Sequence, residues 1–279
     1  MKTINYKEVS KIFNSSSLAS LSEGDYSFVE YVSRSLFSTT KIASFTSFFN
    51  EVFNELNRGY RTEYIYKNFL VLRHLLGRHS VNTSTMLSEF RVGSNKADCV
   101  ILNGKSTCYE IKTEYDSLIR LNDQVKQYRK LFDEVYVVCS EKNCSDVIET
   151  LEQGVGILIL SDRSYFKKVR EPCRRKGGID REALVKSLRK AEYQELAFLV
   201  SGKLPSATNA QLFSMCRELV LDAEEDDLAE GYLAMLKKHR AVKNHLIDFM
   251  PFSLKNAAVS YRFTQEQEKN LISIFRDKA

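Results

Sequence analysis

The chain has 279 residues, 43% hydrophobic and 28% charged, with a formal net charge of +5. That length holds one large domain or two small ones around a sizeable core, and the mild positive charge permits a polyanionic partner without demanding one. No run of about 18 apolar residues occurs, so a membrane helix is excluded and no membrane partner is expected.

The N-terminus, MKTINYKEVSKIF, lacks the apolar stretch and cleavage site of a secretory signal. Cysteines 99, 108, 139, 144, 173 and 216 follow neither a disulfide framework nor zinc spacing. A reducing, cytoplasmic setting is therefore expected.

Three textures follow one another. Residues 1–57 are rich in Ser and Phe, with helical spacing in SFTSFFNEVFNEL. Residues 58–166 mix helices with short strands, and residues 167–279 read as helices almost throughout. The middle region opens with RTEYIYKNFLVLRHLLG, a helix ending at Gly77. SEFRV fits a short strand. ADCVIL and STCYEIK are strands, and Asn103-Gly104 between them signals a two-residue hairpin turn, which sets Leu102 opposite Lys105. DSLIRLNDQVKQYRKLF carries Leu118, Leu121, Val125, Tyr128 and Phe132 on one helical stripe. EVYVVCS and VGILIL are buried strands with a helix between them. The sum is a mixed α/β core.

Gly104-Lys105-Ser106 suggests a phosphate-binding loop, but the required earlier Gly is Cys99, and the following segment is a strand rather than a helix. The chemistry lies in the charged residues around it. Glu110 and Lys112 share one strand face, roughly 6.6 Å apart. Asp98 starts the neighbouring strand. In a two-residue hairpin it falls opposite Tyr109, and a one-residue offset or a bulge aims it at Glu110 instead. Two carboxylates converging beside a Lys suit a hard divalent cation and phosphodiester hydrolysis.

This Asp98, Glu110-Ile111-Lys112 pattern, set in a hairpin after a helix, resembles the PD-(D/E)XK, restriction-endonuclease-like nuclease superfamily over about residues 58–160. Ala97 stands where that pattern usually has Pro. Gln124 and Tyr128, one helical turn apart, resemble the Gln-x-x-x-Tyr feature of RecB-like exonucleases. The combination also looks like a small bacterial nuclease-like family, often prophage-associated. The resemblance implies a restriction-endonuclease-like mixed sheet sandwiched by helices, flanked by an N-terminal helical segment and a C-terminal all-helical region. It implies that Asp98, Glu110 and the Ile111 carbonyl hold Mg²⁺ or Mn²⁺, that Glu63 assists, and that Lys112 is catalytic. Gln124 and Tyr128 would position substrate or active-site groups.

Ten Lys or Arg against three acids fall between residues 165 and 190. Lys167, Lys168, Arg170, Arg174, Arg175 and Lys176 are candidate phosphate contacts. A second basic run, KKHRAVKNH, spans 237–245, and DAEEDD lies between the two as a solvated helix start. The expectation is a metal-dependent nuclease acting on DNA in a phage-related or defence context. The alternative is a silent module of the same fold that binds nucleic acid or protein. The C-terminal helices could serve a protein partner or a second copy.

Overall fold

The computed structural model describes residues 4–77, 84–241 and 244–276. Contacts divide the chain into two compact units. The first comprises residues up to 81, 162–165 and from 242 onward; the second comprises 82–161 and 166–241. None of the helices among the described residues is long and apolar enough to cross a membrane.

The first unit begins with α1 (Tyr6–Val9), α2 (Ser15–Ser22), α3 (Ser27–Phe37), α4 (Phe45–Gly59) and α5 (Glu63–Leu70), the last running on into a wider turn over Val71–Leu75. The Ser44 hydroxyl caps α4 by accepting the Ser47 N–H, at 3.3 Å. Helical spacing is expected in this segment, and Phe48, Phe49, Val52, Phe53 and Leu56 of α4 are buried.

The second unit is built on a sheet of six strands in linear order: β1 (Thr85–Val92), β2 (Asn95–Leu102), β3 (Ser106–Lys112), β4 (Glu134–Ser140), β5 (Gly156–Leu160) and β6 (Phe166–Arg170). β3, β4 and β5 are parallel neighbours, and the remaining pairs are antiparallel. Helix α6 (Leu121–Tyr128) joins β3 to β4, as a parallel crossover requires, and α7 (Cys144–Thr150) joins β4 to β5. Then come α8 (Arg181–Ser187), α9 (Lys190–Ser201), α10 (Asn209–Leu221) and α11 (Glu225–Arg240). One apolar cluster runs from Val100, Cys108 and Val137 of the sheet through Val125 and Tyr128 of α6 to Leu196, Val220 and Met235 of the helices. The α/β expectation therefore holds at the level of a mixed sheet flanked by helices.

Helices α12 (Lys255–Ser260) and α13 (Gln265–Phe275) close back on the first unit. Asn68 donates to the Phe252 carbonyl at 2.9 Å and accepts the Asn256 N–H at 2.8 Å. Tyr261 donates to the Phe13 carbonyl at 2.9 Å.

Three local expectations are corrected. The helix read over residues 116–132 spans only 121–128, because the Asp116 carboxylate takes the Thr113 N–H (2.8 Å) and hydroxyl (2.7 Å) into a turn. The β2–β3 turn has three residues, Asn103 to Lys105, with Gly104 at φ +64°, so Leu102 pairs with Ser106. Its cause lies outside the hairpin: Asp133 accepts both the Ser106 N–H (2.8 Å) and its hydroxyl (2.9 Å), drawing Ser106 into the ladder. Finally, the basic stretch 166–170 is an edge strand rather than part of a helical region.

Candidate functional site

The three-residue turn supplies the one-residue offset that the acidic pair needs. The register Cys99↔Tyr109, carried one step outward, sets Asp98 level with Glu110 on the face where Cys108 packs. Asp98 accepts the Ile111 N–H at 2.7 Å. Lys112 donates from Nζ to Glu110 Oε1 (2.9 Å) and to Gln124 Oε1 (3.0 Å). Glu110 is only 2% exposed.

Tyr128, also on α6, donates to the Lys96 carbonyl at 2.8 Å. Burial pushes its phenol well above the ordinary range, and the nearby Glu110 charge adds to that, so it remains a donor. The Cys108 thiol is raised for the same two reasons, burial first. Asp98, Glu110, Lys112, Gln124 and Tyr128 are thus brought together.

The group is largely turned on itself. The Lys112 ammonium is spent on a buried carboxylate and an amide oxygen, and Asp98 caps a backbone amide. Ile111 stands in the β3–β4 ladder opposite Val138. Glu63 opens α5 in the first unit, where it pairs with Lys67 at 2.5 Å. Within the second unit the arrangement is a charged brace that pins α6 to the end of the β2–β3 hairpin.

Sequence reasoning missed three residues here. Glu89 sits inside β1 at φ +54°, where the ladder steps from Ser88↔Cys99 to Phe90↔Ala97. Its carboxylate comes within 4.8 Å of that of Asp98. Nothing in an alternating strand pattern marks such a residue. Asn143 donates to the carbonyls of Lys112 (3.2 Å) and Thr113 (3.0 Å), fixing the strand exit. Asp133 sets the register, as described above.

The basic candidates lie elsewhere on the second unit. Lys167, Lys168, Arg174 and Lys176 are exposed, the first two on β6 and the others on the coil after it. Lys168 pairs with Glu171. Arg170 folds inward, donating to the carbonyls of Val155 (2.7 Å) and Glu152 (3.2 Å), and burial lowers its pKa. Arg175 is mostly covered and faces Asp133 at 3.7 Å. Backbone bonds fix the coil: Cys173 N–H to Gly154 O (2.9 Å), Arg175 N–H to Asp133 O (2.7 Å) and Asp180 N–H to Lys130 O (3.0 Å).

Comparison with known proteins gives a family. The family model for bacteriophage P4 protein cII matches residues 56–260. Protein cII of Enterobacteria phage P4 is 29% identical over 157 residues, covering 56% of this chain and 56% of that relative, so the chain spans only about half the relative's length. Among solved structures, SPO1766, a protein of unknown function from Silicibacter pomeroyi, aligns with 50% of this chain and 93% of its own, at 16% identity and a TM-score of 0.32.

The family match overturns the resemblance to PD-(D/E)XK nucleases. With that resemblance go the restriction-endonuclease-like label, the metal-dependent nuclease activity and the Mg²⁺ or Mn²⁺ it implied. The geometry gives a physical reason for the pattern without that role: a buried Glu beside a Lys at i+2 is a self-compensating pair.

Proposed function

The chain belongs to the bacteriophage P4 protein cII family, and within that family we propose that it acts as a nucleic-acid-binding module without turnover. The observation that carries this reading is the row of exposed cations along the edge strand β6, on both of its faces, and on the coil after it. Lys167, Lys168, Arg174 and Lys176 reach solvent from a backbone held on a fixed path. Lys167 and Lys176 have no acidic partner within ion-pair distance among the described residues. Such a strip can neutralise successive phosphates and release their counterions. DNA is the form proposed, in a phage-related setting, since protein cII of phage P4 is among the relatives. In this reading the Asp98, Glu110, Lys112, Gln124 and Tyr128 group serves as scaffold.

Fluorescence anisotropy with labelled duplex DNA, single-stranded DNA and RNA over a salt series tests this. Duplex DNA should bind most tightly. The quadruple variant Lys167→Ala/Lys168→Ala/Arg174→Ala/Lys176→Ala should weaken binding by about 10- to 100-fold at low salt and flatten the plot of log affinity against log salt. An unchanged slope removes the strip from the interface. No binding to any of the three at 50 mM salt ends the reading.

A second reading is a protein contact through the C-terminal helices. Phe198 and Leu199 of α9, Leu204 beyond it, and Phe213 and Met215 of α10 are all exposed. If they join two copies of this chain, sedimentation should find a dimer that Phe198→Ser/Phe213→Ser converts to monomer.

A further inference from the structure

The two basic runs, far apart in sequence, meet within the second unit. A cleft of about 510 Å³ opens among the β2–β3 turn, the start of β4, the coil before α8 and the flank of α11, and Arg174, Arg175 and Lys237 all line it. Asp133, Asp226 and Glu230 line it too, with Leu131, Ile179 and Tyr232 as an apolar wall.

The hydrogen bonds within the cleft leave donors to spare. Asp133 spends Oδ2 on the Ser106 N–H and hydroxyl, while its Oδ1 stands 3.6 Å from Arg174 and 3.7 Å from Arg175. Those separations are charge contacts, longer than hydrogen bonds. Arg175 is 13% exposed and donates from Nη1 to the Gly177 carbonyl at 3.1 Å. Its Nε–H is shut off from solvent and meets no acceptor among the described residues.

We propose that this cleft binds a phosphorylated nucleoside, either as a free mononucleotide or as the phosphorylated end of a strand. The volume falls within the range of small-molecule sites. A phosphate suits the solvent-reaching Arg174 guanidinium, with the charges of Lys237 and Arg175 on the same lining. The charge on the lining is balanced, three cations to three carboxylates, so a bare oxyanion gains little from the overall field. Asp226 and Glu230 instead suit sugar hydroxyls or base amino groups, and the apolar wall suits the base. The proposal goes beyond strand binding through β6, which requires no phosphorylated end.

Calorimetry with the whole chain and the four 5′-mononucleotides, inorganic phosphate and adenosine reads the free form. At least one mononucleotide should bind tenfold or more tighter than phosphate or adenosine alone. Arg174→Gln/Lys237→Gln alters two solvent-reaching side chains and should weaken that binding at least tenfold with only a small fall in melting temperature. Anisotropy with 5′-phosphorylated and 5′-hydroxyl oligonucleotides separates the two sources. A tenfold preference for the phosphorylated end assigns the cleft to strand termini, and equal binding assigns it to free nucleotides. The idea fails if no mononucleotide binds at millimolar concentration and the 5′ phosphate makes no difference, or if the double variant binds as the natural chain does. Arg174 belongs to both surfaces, so Lys167→Ala/Lys168→Ala, which leaves the cleft lining intact, read with 5′-hydroxyl strands tests β6 alone, and the two readings fail separately.

Discussion

The energetics of Glu110 and Lys112 turn on burial. A carboxylate that is 2% exposed can stay charged only with a cation against it. Lys112→Met should therefore destabilise the fold by about 3–5 kcal/mol, as removal of one partner from a buried pair does. Glu110→Gln/Lys112→Met should recover most of that loss, because replacing both charges leaves none uncompensated. A urea-unfolding double-mutant cycle checks this, and equal losses from the single and double variants would sink the brace. Glu89 presents the opposite case, backbone strain at a charged residue. A left-handed φ costs a non-glycine residue roughly 1–2 kcal/mol. Glu89→Gly should thus be close to neutral in melting experiments, while Glu89→Val should lose about 1–2 kcal/mol, since branching at Cβ worsens that conformation.

Among the elements, α11 shows how charge pattern and packing act together. Glu225, Asp226 and Asp227 occupy its first turn and Lys237, Lys238, His239 and Arg240 its last, each end complementing the helix dipole. Glu225 does more than the solvated start expected of it, accepting the Ile179 N–H at 2.8 Å. At the far end, Arg240 forks onto buried Glu192 of α9 at 2.7 and 2.6 Å and lies 4.2 Å over the Phe90 ring. Burial pushes the Glu192 carboxyl up, but the Arg240 fork and the Arg189 N–H outweigh it, so its pKa lies below the ordinary carboxylate value. The stability this group contributes is therefore complete above the unfolded carboxyl pKa, roughly 4.3, and is lost as pH falls through its depressed folded value. Denaturation midpoints of the natural chain and Glu192→Gln should differ clearly at pH 7 and converge toward pH 3. In β5, Gly156 faces the Tyr136 ring so closely that an added Cβ would strike it, and Gly156→Ala should cost about 1–3 kcal/mol. Strands β4 and β5 were legible because burial on both faces writes a continuous apolar run. β6 was not, because an edge strand facing solvent is free to carry Lys and Arg. The acidic pair was legible by residue type, yet its alignment was not, since the register depends on Asp133, which lies well outside the hairpin.

For the whole molecule, composition along the chain gives no hint that its last segment belongs with its first. Residues 244–276 pack in the unit formed by the N-terminal helices, while the sheet and α6–α11 make the other. The ties are polar as well as apolar: Tyr64 donates to the Ser253 carbonyl at 2.9 Å, Asn50 accepts the Ser253 hydroxyl at 2.8 Å, and Phe49 meets Phe275 edge-on at 5.4 Å. A chain ending at residue 241 loses the partners of Asn68 and one wall around Phe49 and Phe53. Buried groups left unmatched cost about 1–3 kcal/mol each, and exposed aromatic rings add to that. Such a chain should lose amide protection across α4 and α5 while β3, β4 and β5 keep theirs, because the apolar cluster that covers those strands comes from α6 and the helices through α11. Hydrogen exchange read by mass spectrometry resolves the two sets of peptides. Loss of protection in both at once would mean that the sheet depends on the helices from which it is divided here, and DNA binding by the shortened chain should then vanish instead of persisting through β6.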